Sequence, residues 1–393
     1  MKKFNFNNIS NAVFLALILA AMLVCLVRTA VFPMKINAAE NRYANVIMPL
    51  TAQSYGDGSF QDSVENALAD QAPAAPEAKR VYNFASIGIR NLFLSSVFTT
   101  GEGRYIRLGG GLSLFGNSYL VYDPRVLENM KPDLDKKIAN LNSFSASHPE
   151  VPIYVYYIEK ETDINFETGE KAGVFEYLTE NLDIPSENMA AFRIDSFEDY
   201  SPNFYHTDHH WNWRGSYKGY LEVQRLLGGS VPIEPIEEIT LRQRLVGSKA
   251  IEVGGADIFS EEFTAYHFNY PSMTITMNGM VGDYGNQDKY FLDYSGDVSY
   301  GDFYGTDYGE VIFDTHDYDK ENILVIGESH DNAILKLIAG DFNCTYAIDL
   351  RNYEAHMGQT FNAYDYIAGH DIDKVLLIGS IGYFTADTFN LTD

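Results

Sequence analysis

The sequence predicts an α/β protein built on a parallel sheet, and three observations carry that expectation. Residues 323–326 (Ile-Leu-Val-Ile) form a short, wholly apolar run, as a strand buried on both faces does. Directly after it come Gly327-Glu328-Ser329-His330 and then a helical stretch, residues 332–339, closed by Gly340. Two further apolar strands follow at residues 346–350 and 375–378, and this strand-turn-helix-strand-helix-strand order implies right-handed crossovers between parallel strands.

The chain has 393 residues, 46% of them hydrophobic and 14% aromatic, enough for a large core. Its formal net charge of −26 argues against a nucleic-acid partner, because phosphate binding needs clustered Lys and Arg. So acidic a surface suits an exposed location outside the cell. Of the two cysteines, Cys25 lies in the apolar N-terminal run and Cys344 stands alone, so no intrachain disulfide is expected.

In chain order, Lys2 and Lys3 precede an apolar run at residues 12–27, and Arg28 is the one charge before Phe32. With Arg28 snorkelling, residues 12–32 are long enough to span a bilayer, and the flanking lysines place the N-terminus in the cytoplasm with the rest outside. The rival is a cleaved signal peptide and a secreted product, for which Asn37-Ala38-Ala39 is a poor cleavage site. Residues 1–35 are therefore expected to be a cytoplasmic tip and anchor, 36–80 a connector, and 81–393 the main domain. Within the connector, residues 62–68 read as a short helix and the Pro-rich residues 72–76 as a semi-rigid spacer. Residues 81–123 read as β-rich, with Gly109-Gly110-Gly111 a tight bend; no Lys-Ser/Thr follows, so a phosphate loop is excluded.

Ile138, Leu141 and Phe144 recur at helical spacing from about Asp133, Pro149 ends that helix, residues 151–158 are a strand, and Phe175 to Leu178 belong to another helix. After a loop at 195–203 comes Tyr205-His206-Thr207-Asp208-His209-His210-Trp211, which holds three of the nine histidines. Asn212 is a candidate N-cap for a helix to about Leu227, ended by Gly228-Gly229. Residues 231–320 then change character and read as a β-rich insertion, with short alternating segments such as residues 272–277. Its aromatics suit either a carbohydrate groove or plain strand formation. Asp314, Asp317 and Asp319 lack the glycine and terminal glutamate of an EF-hand calcium loop.

The chemistry sits in two blocks. Ser329 falls at the carboxyl end of a parallel strand, where ligands bind in such sheets, and the free N–H groups of the turn after it suit an oxyanion. Histidine is the side chain that titrates near neutral pH unperturbed, and an Asp-x-His spacing lets Asp208 reach the His210 imidazole. That gives Ser329 as nucleophile, His210 as general base and Asp208 as orienting acid. His206 and His209 are expected to cap or pack near the helix start.

These blocks carry a resemblance. Gly327-Glu328-Ser329 after an apolar strand resembles the Gly-Asp-Ser block of SGNH/GDSL hydrolases. Thr207-Asp208-His209-His210-Trp211 resembles the signature of the DHHW proteins and is similar to the Asp-x-His-Trp block of the SGNH-like alginate O-acetylation proteins of the AlgX/AlgJ type. In those relatives the Asp/His block precedes the serine block, as it does here. Glu40-Asn41-Arg42 with Pro49, Ile106-Arg107-Leu108-Gly109 to Leu114-Phe115, and Asp349-Leu350-Arg351-Asn352-Tyr353 resemble further segments of that family. The likeness covers most of residues 40–393 apart from much of 231–320.

The resemblance implies an SGNH-like three-layer α/β/α domain with a parallel sheet, acting on acyl esters of cell-surface polysaccharide without metal or cofactor. It implies a membrane-bound O-acyltransferase as acyl donor. Carried over by position, Ser329, His210 and Asp208 form the triad, and Arg351 or Asn352 binds substrate or completes the oxyanion hole. Trp211 packs beside the triad or offers a sugar platform. Glu328 stands where the family has Asp, and if that Asp caps the turn, Glu fits less well. An O-acetyltransferase is the leading expectation. A carbohydrate acetyl-esterase shares its acyl-enzyme, and a glycan-binding surface protein with a decayed site is the non-catalytic alternative. A zinc site at His206, Asp208, His209 and His210 is the other enzyme class, although the spacing departs from the His-x-His-x-Asp-His pattern.

Overall fold

A computed structural model describes residues 6–33, 36–37, 42–56, 58–71, 81–82, 85, 104–109, 111–116, 118–229, 231–256, 259–292 and 296–391. The Pro-rich spacer at 72–76, part of the family-like Glu40-Asn41-Arg42 segment and most of residues 81–103 lie outside these. The chain divides into two compact units, residues 1–99 with 251–255, and residues 100–250 with 256–393.

The first unit contains a helix at Phe6–Val31, a two-residue antiparallel pair β1 (Ile36–Asn37) and β2 (Arg42–Tyr43), and helices Ala52–Gly56 and Ser59–Gln71. The last contains the short helix expected at 62–68. Asp70 holds the preceding segment by accepting from the backbone N–H and side-chain amide of Asn45 at 2.9 and 2.8 Å. Residues 12–32 are helical almost throughout, yet among the described residues no helix is long and apolar enough to cross a membrane, so the expected span is not supported.

In the second unit, β3 (Ile106–Gly109), β4 (Leu112–Phe115) and β5 (Tyr119–Tyr122) make a small antiparallel sheet, which matches the end of the β-rich stretch expected at 81–123; of its start, the described residues 81, 82 and 85 are helical instead. The main sheet takes β6 (Ile153–Ile158), β7 (Met189–Phe192), β10 (Thr274–Met277), β11 (Met280–Val281), β12 (Glu310–Asp314), β13 (Ile323–Ile326), β14 (Cys344–Ile348) and β15 (Lys374–Gly379). Its order is β11-β10-β12-β14-β13-β15-β6-β7. The five strands from β14 to β7 are parallel, with Ile326 beside Ile348 on one side and Leu377 on the other.

The parallel strands are covered on both faces, as their unbroken apolar sequence requires. Ile323 and Val325 of β13 enter one buried cluster with Tyr220 and Val223 of helix Trp213–Leu226. Leu324 and Ile326 enter another with Leu134, Ile138, Leu141 and Phe144 of helix Leu127–Ser147. Each such side chain contributes about 1.5–3 kcal/mol of transfer free energy. Helices thus pack against both faces of a large sheet in a mixed α/β fold.

Two expectations need correction. The sheet is mixed, because β12 pairs antiparallel with β14 and β10 with β12. The segment at 231–320 is not a separate insertion: β10, β11 and β12 come from it and complete the sheet, while β8 (Pro235–Leu245) and β9 (Glu261–Phe268) form an antiparallel pair packed into the first cluster. Its Tyr and Phe residues are largely core, with Phe263, Tyr284, Tyr300 and Phe303 buried. Asp314 and Asp317 do not converge as calcium ligands; they pair with His316 and Lys320, each at 3.1 Å.

Candidate active site

Ser329 leaves the end of β13 on a tight turn. The turn is closed by the Asp331 N–H donating to the Glu328 carbonyl at 2.9 Å and runs into a 3₁₀ turn at Asp331–Ala333. Helix Leu335–Ala339 follows, so the single helix expected over 332–339 is broken at its start. A β-carbon at Gly327 would run into the Asp331 carboxylate and Ile378, so a side chain there would displace Asp331. Among the described residues, no protein acceptor engages the backbone N–H of Ser329 or His330.

The histidine block is a tight loop closed by a bridge between Phe204 and Trp211. Asn212 is the N-cap as expected, accepting from the Arg214 and Gly215 N–H groups at 2.9 and 3.1 Å. Glu261 clamps the near side of the loop, accepting from the backbone N–H groups of His206 and Thr207 at 3.0 and 2.8 Å and from the Thr207 hydroxyl at 2.8 Å. Burial pushes the Glu261 carboxyl up to about 7, against the pull of those donors. On the far side, the Gly247 N–H donates to the Thr207 hydroxyl and the Ala250 N–H to its carbonyl, each at 3.1 Å. A β-carbon on Gly247 would run into the Thr207 carbonyl and the Asp208 N–H.

The two blocks meet. His210 Nε2 lies 2.7 Å from Ser329 Oγ, and His210 Nδ1 lies 2.6 Å from Asp208 Oδ1. Asp208 Oδ1 also accepts from the His210 backbone N–H at 3.0 Å, and Oδ2 from the Ser248 N–H at 2.8 Å. Burial alone would raise the Asp208 carboxyl, but the imidazoles of His210 and His209 and its donors hold it well below the usual carboxylate range. Burial moves His210 the other way, below its ordinary value, with Asp208 opposing. An ionised carboxylate therefore faces a neutral imidazole whose other nitrogen meets a hydroxyl. That arrangement can take a proton from Ser329 and stabilise the resulting imidazolium.

Several parts of this site carry no sequence signal of their own. The Tyr300 ring stacks on His210 at 3.8 Å, and its hydroxyl donates to the His330 carbonyl at 3.3 Å. His330 is buried, reaches the His209 carbonyl with Nε2 at 3.3 Å and places Nδ1 3.3 Å from Glu328 Oε1. Glu328 does not cap its own turn. It accepts from the Ser380 N–H at the end of β15 at 2.6 Å, and burial is outweighed by His330 and its donors, so it stays well below the usual range. The longer side chain thus ties the serine turn to the neighbouring strand. Ser248 lies 2.6 Å from His209 Nδ1, and a buried Lys249–Glu161 pair at 2.6 Å underlies the same segment.

Of the other expected residues, Trp211 packs beside the triad, one of its two expected roles, while Arg351 and Asn352 fall elsewhere in role. Trp211 is 0% exposed and its Nε1–H donates to the His330 carbonyl at 2.8 Å, so it is packing that joins the two blocks and not a sugar platform. Arg351 is spent on Asp349, at 2.9 and 2.6 Å, and on Asp307 at 3.1 Å, leaving it to support the wall beside the site instead of the oxyanion. The Asn352 amide donates to Asp349 at 3.4 Å. His206 is not in the triad; its ring packs on Tyr119 at 3.9 Å. Asp208, His209 and His210 do bring three ligating atoms within 4.8 Å of one another. Both His210 nitrogens and His209 Nδ1 are already engaged by Asp208, Ser329 and Ser248, so a metal would have to break the arrangement just described.

A mixed α/β fold of this kind has counterparts among solved structures. Bacillus cereus PatB1 with a sulfonyl adduct superposes at TM-score 0.56 and 18% identity, over 74% of this chain and 100% of that one. A DHHW family protein from Eubacterium siraeum does so at TM-score 0.55 and 16% identity, over 75% and 100%. The O-acetyltransferase domain of Pseudomonas putida AlgJ superposes more loosely, at TM-score 0.39 and 10% identity over 72% of this chain and 94% of that one. The resemblance to DHHW proteins thus extends to the fold. No family model matches the chain, and no curated protein matches it by sequence.

Proposed function

We propose that the chain is a serine acyltransferase that moves an acetyl group onto hydroxyls of cell-surface polysaccharide. One observation carries the reading: the continuous Asp208–His210–Ser329 hydrogen-bond chain at 2.6 and 2.7 Å. Ser329 Oγ attacks the acyl carbonyl as its proton passes to His210 Nε2. The Ser329 and His330 N–H groups receive the oxyanion, and the leaving group departs with the proton from His210. The acceptor hydroxyl then gives its proton to His210 and attacks the acyl-serine, and His210 returns that proton to Ser329 Oγ as the new ester leaves. Asp208 fixes the tautomer throughout.

In this reading the domain works outside the cytoplasmic membrane and takes its acyl group from a membrane-bound O-acyltransferase. A net charge of −26 suits that exposed setting. PatB1, similar in fold, has been solved with a sulfonyl adduct, and a sulfonyl fluoride is the matching reagent for Ser329 here. The test supplies an activated acetyl ester with and without glycan acceptors. Acetylated glycan, formed faster than free acetate, supports transfer. Free acetate at an unchanged rate makes the enzyme an esterase. Cleavage of the domain by protease added to intact cells tests the location, and full protection there refutes it.

A further inference from the structure

The residues around Ser329 line a cavity of ≈ 270 Å³, counting its open mouth. Glu328, Asp331 and Asn332 line it from the serine turn, Asp307 and Tyr308 from the segment before β12, and Asp349 from the end of β14. Four carboxyl groups thus share this space, and one guanidinium, Arg351, stands beside them. Arg351 is taken up by Asp349 and Asp307. Asp307 also accepts from the Asn332 amide at 3.2 Å, and Glu328 has Ser380 and His330.

Asp331 is left over. It is 6% exposed, it lines the cavity, and among the described residues its carboxyl accepts no hydrogen bond. Burial and the nearby Asp349 and Asp307 carboxylates raise its pKa well above the usual range. A buried carboxylate without a counter-ion is relieved by a proton or by a cation. A bare metal ion needs converging ligands, and among the described residues the trio that brings three such atoms within 4.8 Å is Asp208, His209 and His210, outside this cavity. Dispersed carboxyls suit a group that points several N–H donors in different directions, which is what an ammonium does. The Tyr284 and Tyr308 rings in the wall favour the same charge.

We propose that this cavity is a subsite for a protonated amine, so that the acceptor glycan carries free amino sugars. Only the word acceptor rests on the acyl-transfer reading; the amine subsite is a matter of binding. An acidic sugar would meet four carboxyls and be repelled.

The test is calorimetric titration of the full chain with a glucosamine trimer, its N-acetylated counterpart, a galacturonate trimer, and magnesium chloride alone. The glucosamine trimer should bind at least roughly tenfold more tightly than the N-acetylated one, and the galacturonate trimer not at all. Added salt should weaken the binding. Asp331→Asn should lose about tenfold in affinity, and Asp307→Asn, at a side chain 35% exposed, should lose affinity too. Equal binding of the trimers, a preference for galacturonate, indifference to both substitutions, or magnesium binding that both substitutions abolish would each overturn the proposal. An amine preference without acyl-Ser329 keeps the subsite and refutes the reaction; acyl-Ser329 without an amine preference does the reverse.

Discussion

At the scale of single residues, His210 sets the behaviour of the site. Its imidazole must be neutral to accept the Ser329 proton, and burial holds its pKa below the ordinary 6.5 in spite of Asp208. The rate of Ser329 acylation should therefore stay on its plateau as pH falls through 6.5 and drop only below it. A pH–rate profile checks this, and a midpoint above 6.5 would mean that Asp208 outweighs burial. The serine and the Asp-x-His pair were legible because each stands in a local pattern: an apolar strand before Ser329, and two-residue spacing between Asp208 and His210. Tyr300, Asp307 and Ser248 were not. Each comes from a different segment, and no spacing rule relates a stacking ring at residue 300 to an imidazole at 210.

At the scale of elements, two loops have to be held in register. The serine turn is fixed by Glu328 on Ser380 and by the His330 carbonyl, which accepts from Trp211 and Tyr300. The histidine loop is fixed by Glu261 on one side and the Gly247-Ser248 segment on the other. Gly247→Ala should push Thr207 and Asp208 off their donors. Overpacking of this kind typically costs about 1–3 kcal/mol. Acylation should fall by more than the lost stability explains, which denaturant titration beside single-turnover kinetics will separate. A variant with unchanged acylation would show that the loop tolerates the shift. The parallel strands were legible from their unbroken apolar runs, and the helix after Asn212 from its cap. The pairing of β12 with β14 was not, because a run such as Glu310-Val311-Ile312-Phe313-Asp314 can mark a strand without naming its neighbour. Hence residues 231–320 read as an insertion when they complete the sheet.

At the scale of the whole molecule, the charges that build the site also set stability. Asp208 lies below its unfolded value, so its contribution is present above pH 3.8 and is lost as pH falls through the folded value. Glu261 is the opposite case. Its folded pKa of about 7 exceeds 4.5, so the folded state holds the extra proton, and the stability this gives is lost as pH rises from 4.5 through 7. The slope is at most about 1.4 kcal/mol per pH unit. Relative to Glu261→Gln, the native chain should lose melting temperature across that window, as a series of thermal scans will show. Parallel curves would mean that Glu261 does not titrate there.

The central claim is that Ser329, His210 and Asp208 form a working nucleophile. The most direct measurement is the intact mass of the protein after exposure to an activated acetyl ester, with peptide mapping of the adduct. One acetyl group on Ser329, absent in Ser329→Ala and slowed about 10³-fold or more in His210→Ala, is the predicted result. A folded protein that gains no acetyl group, or gains it equally in both variants, would contradict the account.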